Sequence, residues 1–248
     1  PRSLGQQAVV ERGALPRLNG MFAFAFYDLA AGEILCARDR FGIKPFYYTA
    51  QAGRFAFASE LKSLTALPWV GREIDRQSLF HYLSLMYVPG EDTIFSGVHR
   101  LAPGSLLVWR VADRTLSVEC WWKRTPTADN STPAGEWPTR IRDVFEDAVK
   151  RWSLSDVPIA CSLSGGLDSS AIVGALARQG VPVKTFSVGF TGKGEANWNE
   201  LPLARAVAQK WGTDHTELVL DPAALLDDLP RMAWHLDEPY GGGLPSWL

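Results

Sequence analysis

Two rhythms of apolar and polar positions divide this chain. From Met21 to about Trp122 the period is short. "MFAFAFYD" (Met21–Asp28) alternates aromatic residues with alanine, which predicts a strand whose large side chains share one face. "EILCARD" (Glu33–Asp39) follows the turn "LAAG", so the pair predicts a hairpin. "PFYYTA" (Pro45–Ala50) and "RFAFAS" (Arg54–Ser59) predict a second hairpin around "QAG". "DRQSLFHYLSLMY" (Asp75–Tyr87) places apolar residues at helical spacing, with Asp75 as N-cap. "GSLLVWRV" and "TLSVECWW" predict a closing hairpin around "ADR".

"KRTPTADNSTPAGEWP" (Lys123–Pro138) has no apolar period and reads as an interdomain linker. Beyond it the rhythm lengthens. "WPTRIRDVFEDAVKRWSL" is an amphipathic helical pattern and "VPIACSL" a buried strand. "SSAIVGALARQG" predicts a helix ending at Gly180, and "VPVKTFSVGF" a strand. "NELPLARAVAQKWG" predicts a helix capped by Asn199 and stopped by Gly212. "HTELVL" is a strand, and "DPAALLDDLPRMAWHL" opens a helix with Pro222 after Asp221. Three strands separated by helices predict a parallel sheet with crossover helices.

Composition narrows the function. The chain has 248 residues, 46% of them apolar, enough for a substantial core. A formal net charge of −2 and the lack of a basic run argue against nucleic acid or an anionic membrane as main partner. No apolar run is long enough to span a bilayer. The first residues lack the charged-then-apolar order of a signal peptide. Cys36, Cys120 and Cys161 are scattered and odd in number, so they suggest neither a disulfide framework nor a metal cluster. They read as small core residues in a reducing cytoplasm.

The candidate chemistry lies in "SLSGGLDSS" (Ser162–Ser170), between the strand "VPIACSL" and a helix that begins near Asp168. Open α/β sheets bind ligands at the carboxyl ends of their parallel strands. A helix start presents unpaired N–H groups and the positive end of its dipole, which suits an anion. Gly165 and Gly166 let backbone approach that anion, and Ser164, Ser169 and Ser170 offer hydroxyl donors. Asp168 would repel a phosphate unless a cation lies between them. That makes it a candidate Mg²⁺ ligand; the plain alternative is that it caps its helix, which the ordered set S-G-G-x-D-S-S after a strand outweighs. No lysine reaches toward a terminal phosphate, which disfavours γ-phosphoryl transfer and favours a grip on pyrophosphate.

"SLSGGLDSS" resembles the PP-loop of ATP pyrophosphatases, that of asparagine synthetases above all. "RLNGMFAFAFYD" (Arg17–Asp28), "RDRFGIKPFYY" (Arg38–Tyr48) and "FASELKSL" (Phe57–Leu64) are similar to consecutive segments of the amidotransferase domain of glutamine-hydrolysing asparagine synthetases. "FSVGF" (Phe186–Phe190) and "WHLDEP" (Trp234–Pro239) resemble that family's synthetase domain. Taken singly, Asp39 and Arg40 read as a polar turn, Lys44 as a solvated charge and Glu60 as a first-turn helix acid.

The resemblance implies a fold that is both α/β and α+β. Residues 1–122 would be part of an N-terminal-nucleophile-type, β-rich glutaminase domain, 123–138 a linker, and 139–248 part of a parallel-sheet α/β PP-loop domain. It implies glutamine hydrolysis to ammonia and activation of aspartate by ATP with Mg²⁺ to β-aspartyl-AMP and pyrophosphate. Ammonia would then displace AMP. Leu163 and Val188 would contact the adenosine part of ATP, though plain sheet core accounts equally well for Val188. Asp237 and Glu238 would face the substrate or begin a solvated loop. A homodimer is the expectation for the full-length parent. His215 reads as a structural histidine.

The chain departs from the family pattern at Pro1, where the nucleophilic cysteine would stand, and lacks the later acidic synthetase segment. It therefore reads as an internal fragment, expected by itself to hydrolyse no glutamine and make no asparagine. Gly241, Gly242 and Gly243 stand where side chains for the acyl donor would be expected, which opens the alternative of another carboxylate. Paralogues acting on surface polysaccharides, β-lactams or lasso peptides would fit that reading, and a non-catalytic nucleotide-binding module is a third.

Overall fold

A computed structural model describes residues 12–191 and 199–241. Gly242 and Gly243 of the glycine run lie outside these. Backbone contacts divide the described residues into two compact units. Unit 1 holds the chain up to Pro126 together with the residues from Arg231 onward, and unit 2 holds Thr127–Pro230.

Unit 1 is built on two antiparallel sheets. One has strand order β1 (Ala23–Asp28), β2 (Glu33–Arg38), β6 (Ser105–Arg110), β7 (Thr115–Cys120). The other has order β4 (Arg54–Ala58), β3 (Tyr47–Gln51), β5 (His99–Arg100). The two-residue period of strands sorts their side chains onto opposite faces. Cys36, Leu107 and Trp109 join Phe46, Tyr48 and Leu101 in one cluster, with Ala23, Ala25 and Phe55 at its margin. Their immediate neighbours Leu35, Ala37, Leu106 and Val108 join Phe22, Phe24, Phe26 and Trp121 on the opposite face. The alternation in "MFAFAFYD" thus separates two cores, aromatic on one side and alanine on the other. A third cluster packs Tyr47, Val70 and Val98 against Leu61 and Leu64 of α1 (Leu61–Thr65). Leu107 is fully buried and contributes about 2 kcal/mol of transfer free energy.

Local chemistry sets the turns. The Asp28 carboxylate accepts from the amides of Ala30 and Ala31 at 2.9 and 3.0 Å, closing the "LAAG" turn. Ala52 and Gly53 both take positive φ, as a two-residue hairpin turn between β3 and β4 requires. Asp75 caps α2 (Arg76–Leu85) by accepting from the Ser78 amide at 2.7 Å, and Met86 ends it in the left-handed region. The helix is as expected from its spacing, but its apolar residues are not core. Leu79, Phe80, Leu83 and Leu85 are exposed among the described residues, and Ser78 is the buried member.

Unit 2 carries a parallel sheet of order β10 (Asp214–Leu220), β9 (Lys184–Phe190), β8 (Ala160–Ser162). Helices α3 (Trp137–Trp152), α4 (Leu167–Arg178) and α5 (Leu201–Trp211) belong to it, and α6 (Pro222–Leu236) begins there. The Asn199 side chain accepts from the Leu201 amide at 3.1 Å, but the N-cap position of α5 is Glu200, one residue later than expected; Gly212 ends α5 at φ +63°, as expected. The core is Leu163, Val173, Ala204 and Ala208, with Cys161, Val207 and Trp211 packed beside it.

One sequence expectation is corrected here. "VPIACSL" is not a buried strand: β8 has three residues, lies at the sheet edge, and leaves Ala160 and Ser162 exposed. Within 123–138, a 3-10 turn at Ala134–Glu136 leads into α3, whose second residue is Pro138. Of the cysteines, Cys36 is buried and Cys161 half-buried, but Cys120 is exposed on β7, whose residues all face solvent.

Candidate functional site

The loop Ser164–Ser170 begins where β8 ends. The Leu163 amide donates to the Phe186 carbonyl at 2.8 Å, and the Ser187 hydroxyl donates to the Leu163 carbonyl. Leu163 is buried, so the residue before the loop is held from both sides by β9. Gly165 follows at φ +78°. A Cβ there would lie 2.5 Å from the Ala204 amide nitrogen and 2.6 Å from the Leu203 carbonyl carbon. Only glycine combines this backbone conformation with so close an approach to the first turn of α5.

Gly166 is the N-cap of α4, in extended conformation and without a side-chain cap. The intrahelical ladder starts at Ser170, whose amide donates to the Gly166 carbonyl at 3.1 Å. The amides of residues 167–169 therefore lack helical partners, the usual state of a helix start. Ser164 and Ser169 fold over this end, their hydroxyls 3.0 Å apart. The Ser169 hydroxyl also accepts from the Ser164 amide at 3.2 Å, and the Ser164 hydroxyl from the Gly166 amide at 3.3 Å. The Ser170 hydroxyl is buried without a hydrogen-bond partner among the described residues. Asp168 is exposed in the first turn. Val188 is half-buried on β9, two residues past the point where β8 stops pairing at Phe186.

Six of the sequence-predicted residues, Ser164, Gly165, Gly166, Asp168, Ser169 and Ser170, thus form one turn with open backbone donors. Sequence reasoning missed Ser187, which fixes the carbonyl before the loop, and Leu203–Ala204, which floor Gly165. Only the 3.6-residue spacing of Ala204 and Ala208 hinted at that packing.

Asp237 and Glu238 belong to unit 1. The Asp237 carboxylate accepts from the amides of Leu61 and Lys62, the latter at 2.9 Å. Lys62 Nζ stands 3.5 Å from the same carboxylate and 3.0 Å from that of Glu60. Glu60 occupies the N-cap position of α1 without bonding it, so the capping carboxylate comes from Asp237 instead. Glu238 pairs with Arg100 Nε at 3.3 Å. Burial pushes the Glu238 carboxyl above the usual range, while Arg100 and the Tyr47 hydroxyl pull it down.

The "RDRFGIKP" loop of unit 1 is a closed structural turn. Asp39 is buried, and its carboxylate accepts from the amides of Phe22, Phe41, Ile43 and Lys44 at 3.0–3.3 Å. Burial alone would raise its pKa; those four donors outweigh burial and lower it. The Arg38 guanidinium donates to the carbonyls of Lys44, Leu101 and Gly42, and Arg40 to those of Leu18 and Pro16. Lys44 is exposed. His215 is structural as expected, its Nδ1 2.9 Å from the Thr185 hydroxyl. Burial pushes the Cys36 thiol up to about 12 and raises that of Cys161, so neither is poised as a nucleophile.

No group of three or more His, Cys, Asp or Glu residues placed to hold a metal ion occurs among the described residues. A Mg²⁺ held by one carboxylate and by phosphate oxygens does not need such a cage, and the exposed Asp168 at the loop fits that kind of donor set.

Comparison with known proteins adds two matched regions. The profile of the glutamine amidotransferase domain matches residues 7–122, and that of asparagine synthase matches residues 140–247. Asparagine synthetase [glutamine-hydrolyzing] 1 of Bacillus subtilis is 35% identical over 226 residues, covering 91% of this chain and 35% of that protein. A putative asparagine synthetase [glutamine-hydrolyzing] of Mycobacterium bovis is 37% identical over 233 residues, with the same two coverages. The amidase chyE of Penicillium rubens is 32% identical over 245 residues, again covering 91% of this chain and 35% of that protein. The chain spans about a third of the length of these relatives. No helix among the described residues is long and apolar enough to cross a membrane.

Proposed function

The chain belongs to the glutamine-hydrolysing asparagine synthetase family, and from that premise we propose that it serves a carbon–nitrogen ligase that uses glutamine as nitrogen donor, ATP as activator and aspartate as the acid whose carboxylate accepts AMP and then donates the acyl group. The observation that carries the proposal is the turn at Gly165, which aims unpaired amides and serine hydroxyls outward at the end of a parallel strand.

A carboxylate is a poor acyl donor until one of its oxygens becomes a good leaving group. Transfer of AMP to the aspartate side chain supplies one, with pyrophosphate departing. Charge grows on that pyrophosphate as the bond to the α-phosphate breaks. The amides of residues 167–169 and the hydroxyls of Ser164, Ser169 and Ser170 are preorganised to receive it. The unpartnered Ser170 hydroxyl gains an acceptor when phosphate enters, and Gly165 leaves the space that a side chain would fill. Leu163 and Val188 would line the adenosine side. Asp168 would hold Mg²⁺, which neutralises phosphate charge. Ammonia from an N-terminal-nucleophile-type glutaminase would then attack the acyl-adenylate and release AMP. In this reading the domains are 1–122 and 139–248, joined by 123–138, in the cytoplasm, where the free cysteines stay reduced.

A second reading keeps the chemistry and changes the acid. It is favoured by the relative named an amidase and by Gly241, which offers no side chain. ATP–pyrophosphate exchange with a panel of carboxylates separates the two. Exchange driven by aspartate is the expected result. Exchange with another acid alone would support the second reading, and none with any acid would sink both.

A further inference from the structure

The residues after α6 make contacts that neither matched region explains alone. Asp237 and Glu238 lie in the region matched by asparagine synthase, yet among the described residues their carboxylates meet partners in the region matched by the amidotransferase domain. Asp237 takes the left-handed backbone at φ +64°, which a non-glycine residue adopts at a cost. This conformation sets its carboxylate against the start of α1, where the Leu61 and Lys62 amides donate to it. Lys62 reaches back, donating from Nζ to the Trp234 carbonyl at 2.9 Å and lying over the Trp234 ring at 5.1 Å. One residue further, Glu238 pairs with Arg100, itself held by the carbonyls of Val88 and Asp92. Three residues beyond, the Gly241 amide donates to the Met86 carbonyl at 2.7 Å. A Cβ on Gly241 would stand 2.6 Å from that of Met86, so the approach needs glycine.

We propose that Asp237 and Glu238 are positioning residues: with Lys62 and Arg100 they form a clasp that fastens the end of the synthetase-type region to the amidotransferase-type region, and through it couple glutamine hydrolysis to acyl transfer. The Asp237 carboxylate is taken up by two backbone amides and Lys62, and the Glu238 carboxylate is ion-paired with Arg100, which is the work of a clasp. The coupling role rests on the ligase reading given above; the clasp itself does not.

The test uses the complete protein that carries this sequence, as wild type, Asp237→Gly, Asp237→Asn and Glu238→Gln. Glycine accepts φ +64° without the carboxylate, and asparagine keeps an acceptor there. Hydrogen exchange at the Leu61 and Lys62 amides should rise on the order of tenfold in Asp237→Gly, the loss expected for a helix cap, and be largely restored in Asp237→Asn. In Asp237→Gly and Glu238→Gln, product formed per glutamine hydrolysed should fall severalfold. Synthesis driven by added ammonia should keep its kcat and its KM for the acid. Unchanged exchange in Asp237→Gly overturns the clasp. A raised KM for the acid with ammonia as donor overturns it in favour of substrate ligation. Should the wild type show no ATP-dependent amidation, the ligase reading fails and the exchange measurement still decides the clasp.

Discussion

Two glycine-containing turns, one in each unit, each follow a strand and each carry one aspartate. The turn Asp39–Lys44 in unit 1 closes on itself. Asp39 takes up four amides and Arg38 three carbonyls. The turn Ser164–Ser170 in unit 2 stays open. Its serines bond one another, the amides of the α4 start lack helical partners, and the buried Ser170 hydroxyl has none among the described residues. A carboxylate within a turn satisfies the donors that a phosphate would otherwise seek. Asp168 stands on the outer side of its turn and does not do so. The difference between the closed turn and the open one lies in where the acid sits, more than in the glycine count.

Removing the internal acid should produce the largest effect. Asp39→Ala strands buried amides, and denaturant unfolding of unit 1 should show a loss of about 3 kcal/mol. Nucleotide binding by the Ser164–Ser170 turn should survive at denaturant concentrations where unit 1 of the variant has already unfolded. Loss of both together would break the comparison.

Gly165→Ala should act in the opposite sense. The φ of +78° and the backbone of Ala204 leave no room for a methyl group. Pyrophosphate exchange should fall on the order of a hundredfold, about 2.7 kcal/mol in barrier, with the unit 1 unfolding midpoint unchanged. Exchange within threefold of wild type would mean that the turn does not carry the chemistry.

Acid and base titrations sharpen the contrast between Asp39 and Glu238 within unit 1. Asp39 has a lowered pKa, so its stabilisation is complete above its unfolded value near 3.8 and is lost as pH falls through the folded one. Glu238 has a raised pKa, so its effect is reversed. Stability is greatest below the ordinary value of 4.5 and declines as pH rises through the folded one. Glu238→Gln should flatten that decline in pH-dependent unfolding, and Asp39→Asn should flatten the acid limb. An unchanged profile in either variant would remove that residue from the account.

Ser170→Ala should have the smallest effect on stability. Its hydroxyl has no hydrogen-bond partner among the described residues, so unfolding should move by under about 0.5 kcal/mol. Nucleotide affinity should still drop severalfold, as expected for a lost neutral hydrogen bond of about 1 kcal/mol. A large stability loss with unchanged affinity would assign Ser170 to the core.

Much of this was legible in the chain. The alternation of Phe22, Phe24 and Phe26 with Ala23 and Ala25 states which residues share a face before any partner is known. Asp75 and Asn199 announce helix starts because their bonds reach only two or three residues. The serine–glycine turn was legible for the same reason. The exposure of Leu79, Phe80 and Leu83 was not, because helical spacing says which residues align and not what covers them. The edge position of β8 was equally hidden, since an apolar strand reads the same with one neighbour as with two.

By itself the sequence determined the hairpins, the Asp75 cap and the open glycine–serine turn, all of which depend on period, turn geometry and side-chain type within a few residues. The tertiary structure alone decided that Asp237 caps a helix 175 residues earlier in the chain, a position where Glu60 stands unused. It also decided that Ala204 makes glycine necessary at Gly165. Contacts between distant segments depend on which faces meet, and no local pattern carries that information.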